Sequence, residues 1–258
     1  MTALLASELR RMTSRRLVRI MFGLWVLGVL VAAVVVAARS TAAVSPYGVD
    51  RLFHLNSLRG VFEGTSPILV IVSWLLGASF IGADWHAGTV TTSLTWEPRR
   101  SRLLLAKLLA CVVVVFVLVI VAQALLAGAL TVAAVLRGTT EGTGPEWIRD
   151  TAGIAVRVAA LSCGGAAFGF AIASVARNTA AALGVGFGYT VVVENLIRGL
   201  RPQWSRWLVG DNAVILITRT SDGMPFHHSA VQAGLLLAVY AAVLVVAALF
   251  VFRARDVT

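Results

Sequence analysis

Charge is what this sequence has least of. Asp, Glu, Lys and Arg make up 13% of its 258 residues, while apolar types make up 59%. A soluble domain carries about 25% charged residues, so a soluble enzyme is the wrong starting point and a disordered chain is excluded with it. Cysteine is down to two, Cys111 and Cys163, both inside apolar runs. That excludes a disulfide framework and leaves them as small packing residues. Lysine is almost absent: Lys107 stands alone against 21 arginines. It follows Ala106, so there is no G-x-x-x-x-G-K-[ST] loop and no P-loop route to holding ATP. No H-E-x-x-H and no Cys/His cluster offers a zinc site, and His54, His86, His227 and His228 read as surface residues.

What the chain does have is six long apolar runs: 20–38, 67–83, 108–136, 158–176, 179–193 and 231–252. A bilayer needs ~20 such residues per helix, so these predict membrane spans. The fifth run is short and Gly-rich; Arg177 and Asn178 predict a tight turn that makes it a hairpin with the fourth. The third is long enough to tilt or project. The first follows five arginines and reads as an uncleaved span, because the apolar region of a signal peptide is usually ~7–15 residues. The expected fold is an all-α polytopic membrane protein: one domain over 1–258, six transmembrane helices, both termini cytoplasmic, multi-pass in the cell membrane. The net charge of +10 lies between the runs, where topology explains it better than nucleic acid does. Basic residues are about twice as dense in 1–19, 84–107, 177–178 and 253–258 as in the alternate segments, which puts the N-terminus inside. The outer segment 194–230 contains Trp204, Trp207 and the apolar stretch 214–217, so it lies at the interface or dips back as short helices.

Residues 1–19 carry a helical pattern. Leu5, Leu9 and Met12 share one face; Arg11, Arg15 and Arg19 share another, with Glu8 beside Arg11. The pattern suits a basic amphipathic helix on an anionic leaflet, or is topology charge alone. In 84–107, Gly88 is placed to break the helix leaving the membrane, and Val90 and Leu94 share one face of a short helix running through Thr95. Pro98 suits the first position of a new helix running into the third span. Arg99, Arg100, Arg102 and Lys107 fall at the membrane's inner edge. The segment is either a docking knob for a soluble partner or a plain basic connection. Gly165 with Gly169 and Gly184 with Gly188 form small-x-x-x-small pairs that let helices pack closely, or line a substrate passage. Polar residues inside the runs are few: Ser73, Ser79, Gln123, Ser162, Ser174 and Thr190. With no buried acid or ion pair expected, a proton- or sodium-driven carrier has little to work with. An intramembrane serine protease would use Ser79 in Gly77-Ala78-Ser79-Phe80, but that serine lacks a following glycine and a histidine in a later span.

On these features the chain resembles the permease subunits of ABC-2 type exporters, ATP-binding-cassette transporters whose ATPase is often a separate chain. The likeness covers nearly the whole chain in architecture. It is sharpest at Gly88-Thr89, Leu94, Glu97-Pro98, Arg100 and Lys107, similar to a cytoplasmic segment in which Gly-Thr precedes Pro-x-Arg and a later Lys; Asp84 matches an acid at the inner end of the second span. The resemblance implies that residues 88–96, including Thr91, form a coupling helix seated in a groove of the ATPase. It implies two ATPase subunits and a second permease copy or homologue as partners. ATP and Mg would be bound by the ATPase, with no cofactor, metal or catalytic residue in this chain.

Overall fold

The computed structural model describes residues 2–40, 52–89, 92, 95 and 99–254. Helix α1 (Thr2–Thr13) gives way across Ser14 and Arg15 to α2 (Arg16–Arg39). A 3-10 turn (Leu55–Ser57) leads into α3 (Leu58–His86), followed by α4 (Arg100–Arg137), α5 (Pro145–Ala176) and α6 (Thr179–Phe187). The last continues through a π-helical stretch (Gly188–Val193) into α7 (Glu194–Leu200). A 3-10 helix (Pro202–Trp207), α8 (Val209–Thr218) and α9 (Ala230–Ala254) follow. No strand occurs among the described residues, although a β-bridge joins His54 to Thr139. Among the described residues, six helical segments are long and apolar enough to cross a membrane: Arg16–Arg39, Leu55–His86, Arg100–Arg137, Pro145–Ala176, Thr179–Leu200 and Ala230–Ala254. The described residues are thus largely helical, with the build of a multi-pass membrane protein.

Each expected run falls inside one of these helices, and most helices overrun it. The second run begins at Pro67, but α3 begins at Leu58 and carries Pro67 in its interior. Its extra turns hold Arg59, whose guanidinium lies 3.3 Å from the Asp150 carboxylate of α5. Helix α4 adds residues 100–107, with Arg100, Arg102 and Lys107, to the third run. Where the ends are marked by residue chemistry, the sequence placed them well. Gly88, at φ +64°, follows the end of α3 in a conformation that suits a residue without Cβ. Arg177 ends α5 at φ 54°, and Asn178 caps α6 by accepting from the Ala180 and Ala181 N–H groups at 2.7 and 3.4 Å.

The tightest packing is between α3 and α5. A Cβ at Gly77 would run into the Ala166 carbonyl, and one at Gly169 into the Trp74 carbonyl. These two positions accept nothing larger than hydrogen, which lets the helix backbones meet. Helix α4 fills the other side of α5 and supports α2. Contacts at the two ends show that successive long helices alternate in direction. At one end the Trp85 ring meets Phe252 edge-on at 5.9 Å, with the Arg177 guanidinium 4.5 Å above Trp85. At the other, Thr139 N–H donates to the Phe53 carbonyl at 2.9 Å, and the Ser40 hydroxyl donates to the Arg137 carbonyl. We call the first the basic end, because α1 and the start of α4 lie there.

The opposite end is more ordered than a connecting loop. The fifth run was expected to stop before Glu194; the helix instead continues to Leu200 and buries that carboxylate. Glu194 accepts from Arg198 Nη2 and from the Gly210 N–H, both at 2.9 Å, and Arg198 Nε donates to Asp211 at 2.9 Å. Asn212, fully buried, donates to the Arg206 and Leu208 carbonyls, and its Oδ1 lies 3.0 Å from His228 Nδ1. Residues 194–230 therefore fold back as short helices held by buried polar contacts. His54, His86 and His227 are exposed as expected, whereas His228 is half-buried.

Candidate functional site at the basic end

The amphipathic reading of α1 put Leu5, Leu9 and Met12 on the apolar face. In the structure Glu8 and Met12 are the buried residues of α1, and Leu5 and Leu9 are half-buried. The helix packs on α4 rather than resting on a leaflet alone. Residues 8 and 12 are one helical turn apart, so one face of α1 carries Glu8 and Met12 toward the bundle, while Arg15 follows in the link to α2.

Glu8 is buried because it has a partner. Lys107 Nζ donates to Glu8 Oε2 at 2.9 Å and to Asp84 Oδ2 at 2.8 Å. Arg11 Nη2 donates to the other Asp84 oxygen at 2.8 Å, and Arg11 Nη1 lies 3.9 Å from Glu8 Oε1. Lys107 is 1% exposed, and the Glu8 and Asp84 side chains are 6% and 7% exposed. Two cations thus offset two carboxylates, the condition under which buried charge is tolerated. Phe80 sits between two further cation contacts, with Lys107 Nζ 5.5 Å and the Arg15 guanidinium 5.4 Å from its ring centre. Arg15 Nη1 also donates to the Ser79 carbonyl at 3.1 Å. Burial pulls the Arg15 pKa below its usual value, against the attraction of Asp84.

This cluster corrects the expectation that the bundle has no buried acid or ion pair. The sequence placed Asp84 and Lys107 at the edges of apolar runs, where a charge marks the membrane surface. Helices α3 and α4 carry both edges inward against α1, so the two residues lie under a third element. Glu8 and Arg11 lie side by side in the helical pattern, but a partner 99 residues away leaves no periodic trace.

The Asp84–Lys107 pair closes a loop of 23 residues, the segment expected to dock a partner. Its first helical residue is tied to the same cluster: Thr89 Oγ1 accepts from Arg11 Nη2 and donates to the Asp84 carbonyl, each at 3.3 Å. Thr89, Thr92 and Thr95 are helical, and Thr95 Oγ1 donates to the Thr92 carbonyl at 2.7 Å. Arg100 opens α4. Thr91, Leu94, Glu97 and Pro98 lie outside the described residues, as do Val90 and Trp96.

The packing glycines divide. Gly165 and Gly169 face α3, a Cβ at Gly165 lying 3.1 Å from the Val70 carbonyl. Gly184 and Gly188 face open space within this chain. The close contact of the fifth span is made instead by Gly186, which lies against the Trp74 ring, while Trp74 Nε1 donates to the Ala182 carbonyl at 3.3 Å. Spacing alone does not distinguish the two glycine faces of a short helix. A single large ring in a neighbouring helix does, and it is legible only once the helices are paired.

Ser79 is half-buried, with its carbonyl engaged by Arg15. His86 lies two turns farther along the same helix, ~10 Å along the axis. No group of three His, Cys, Asp or Glu poised to hold a metal occurs among the described residues. Glu8, Arg11, Asp84 and Lys107 are occupied with one another, which fits them to hold three helices in register.

The family model described as "Protein of unknown function (DUF2705)" matches residues 25–258. Asp84 and Lys107 lie within the match, while Glu8 and Arg11 precede it. No curated protein matches the chain.

Proposed function

The chain belongs to the DUF2705 family, and we propose that it is the membrane-spanning permease subunit of an ATP-binding-cassette exporter, coupled to a separate ATPase. The observation that carries this reading is the closed segment at the basic end. A short helical stretch between two spans is joined at both flanks by the Asp84–Lys107 pair and tied to α1 through Arg11. A partner that pushes on such a segment moves α1, α3 and α4 together. A ligand shifts an equilibrium only through differential affinity for its states, so the segment must transmit force without yielding. The paired charges hold the two flanks of the segment together.

Six crossings return the chain to the side on which it started, and the arginine-rich basic end is the cytoplasmic one. The ATPase supplies the P-loop, ATP and Mg that this sequence lacks. The first, fifth and sixth spans are the least buried, which leaves faces for a second permease copy or a homologue. Gly184 and Gly188 fall on one of these faces, where they let a second backbone approach. The chain itself performs no catalysis and binds no nucleic acid in this reading; it forms the path through the cell membrane.

Leu94→Asp tests the docking surface. It places a charge on the apolar face of the short helix read from the sequence. The expected result is loss of ATPase co-purification and transport, with helical content and detergent melting unchanged. Full transport with the ATPase still bound would contradict the proposal.

A further inference from the structure

Helix α2 packs along α4 and scarcely touches α3. Between the three lies an open cleft of about 240 Å³, lined by Val18, Phe22, Trp25, Val72, Leu76 and Val119 among others. Its lining is almost wholly apolar. The polar side chain in it, Ser73, donates to the Leu69 carbonyl at 2.7 Å, so it asks nothing of an occupant. Leu24 and Ile68, which border the cleft, are exposed and would face lipid.

Both ends of the cleft are marked by a cross-link. At the basic end, one turn beyond Val18 and Leu76, Arg15 donates to the Ser79 carbonyl. At the other, Trp25 Nε1 donates to the Ala122 carbonyl of α4 at 3.0 Å. Ten residues of helix separate Arg15 from Trp25, ~15 Å along the axis. That is half of the ~30 Å hydrocarbon thickness, the depth of one leaflet. Water gains nothing in such a cleft, and an empty one forfeits dispersion contacts along its walls.

We propose that this cleft is a binding site for an anionic phospholipid of the leaflet at the basic end. One acyl chain lies between α2, α3 and α4, and its phosphate meets Arg15 and Arg19. The acyl chain supplies fit but little selectivity, because the bilayer offers it hydrocarbon anyway. Selectivity comes from charge. Arg15 spends one N–H on Ser79, and a guanidinium has five. Arg19 is exposed one residue past Val18, and its Nη2 donates to the Ser14 carbonyl, which turns it toward the same end. Each basic residue at the head-group level favours an anionic lipid about fivefold, so the pair gives a preference on the order of 25-fold. The site requires only that the bundle sits in a bilayer and does not depend on the transport reading.

The test is native mass spectrometry of the full chain in detergent, offered equal amounts of phosphatidylglycerol and phosphatidylcholine. The wild-type chain is expected to retain one phosphatidylglycerol at least tenfold in excess of phosphatidylcholine. Val72→Phe, which fills the cleft, is expected to lose it. Arg15→Gln with Arg19→Gln is expected to retain either lipid about equally. Helical circular dichroism of each variant reports folding, and the double arginine variant carries the test if Val72→Phe does not fold. Equal retention of the two lipids by the wild-type chain overturns the proposal, as does an unchanged preference in the arginine variant. Retention undiminished in a folded Val72→Phe chain does so too.

Discussion

Removing the Lys107 ammonium is the sharpest perturbation of the basic end. Lys107→Met keeps most of the side-chain volume and deletes two charge-assisted hydrogen bonds, at 2.8 and 2.9 Å. It leaves two buried carboxylates facing one remaining cation. Asp84 keeps Arg11 at 2.8 Å, but Glu8 keeps it only at 3.9 Å. Breaking a buried pair by removing one partner costs about 3–5 kcal/mol. Arg11 is 38% exposed, so water relieves part of the imbalance and the lower end applies, about 3 kcal/mol. Glu8→Gln is milder: Lys107 still holds Asp84, and the amide still offers an oxygen, so the cost is about 1 kcal/mol. Once Lys107 is gone, neutralising Glu8 removes the unpaired charge. The double variant should then be no less stable than Lys107→Met, with a coupling energy of about 1–3 kcal/mol. The assay is unfolding in mixed micelles followed by helical circular dichroism, across the four members of the cycle. Faster proteolysis within α1 should accompany Lys107→Met. Additivity within about 0.5 kcal/mol, or a Lys107→Met chain as stable as wild type, would refute the view that this cluster holds α1 in place.

Two further outcomes follow from packing. Gly77→Ala drives a methyl into the Ala166 backbone and should cost about 1–3 kcal/mol, while Gly184→Ala meets open space and should leave detergent melting of the isolated chain within about 0.5 kcal/mol of wild type. Glu194→Ala removes the acceptor of the Gly210 N–H and one of those of Arg198, which keeps Asp211, and should cost about 2 kcal/mol, discounted because Arg198 reaches water; melting at wild-type temperature would show that the opposite end does not rely on it.

The six spans were legible because ~20 consecutive apolar residues have few other uses, and every run lies inside a helix of the bundle. Chemistry at single residues also read well. Gly88 ends α3 with positive φ, and Arg177 with Asn178 makes the hairpin. What failed was the equation of a charged edge with a membrane surface. Asp84, Lys107 and Glu194 all stand at the edge of a run, and all three are buried. Asp84 and Lys107 pair with each other and with α1, and Glu194 adds the Gly210 N–H to its i+4 partner Arg198; of these contacts, the Glu194–Arg198 pair alone has a spacing that a local pattern encodes. Asp84 and Lys107, two of the residues to which the resemblance to exporter permeases points, lie 2.8 Å apart. Glycine spacing was half informative for the same reason: Gly169 meets Trp74, whereas Gly184 meets nothing in this chain.

The central claim is that this chain works beneath the control of a nucleotide-hydrolysing partner. Affinity isolation of the tagged full chain from its native membrane in mild detergent, with quantitative mass spectrometry, tests it most directly. The account predicts a P-loop ATPase in equal amount to the permease, two of each per assembly, with the second permease either this chain or a homologue. Recovery of the chain alone, under conditions that keep a known transporter of this kind intact, would contradict it.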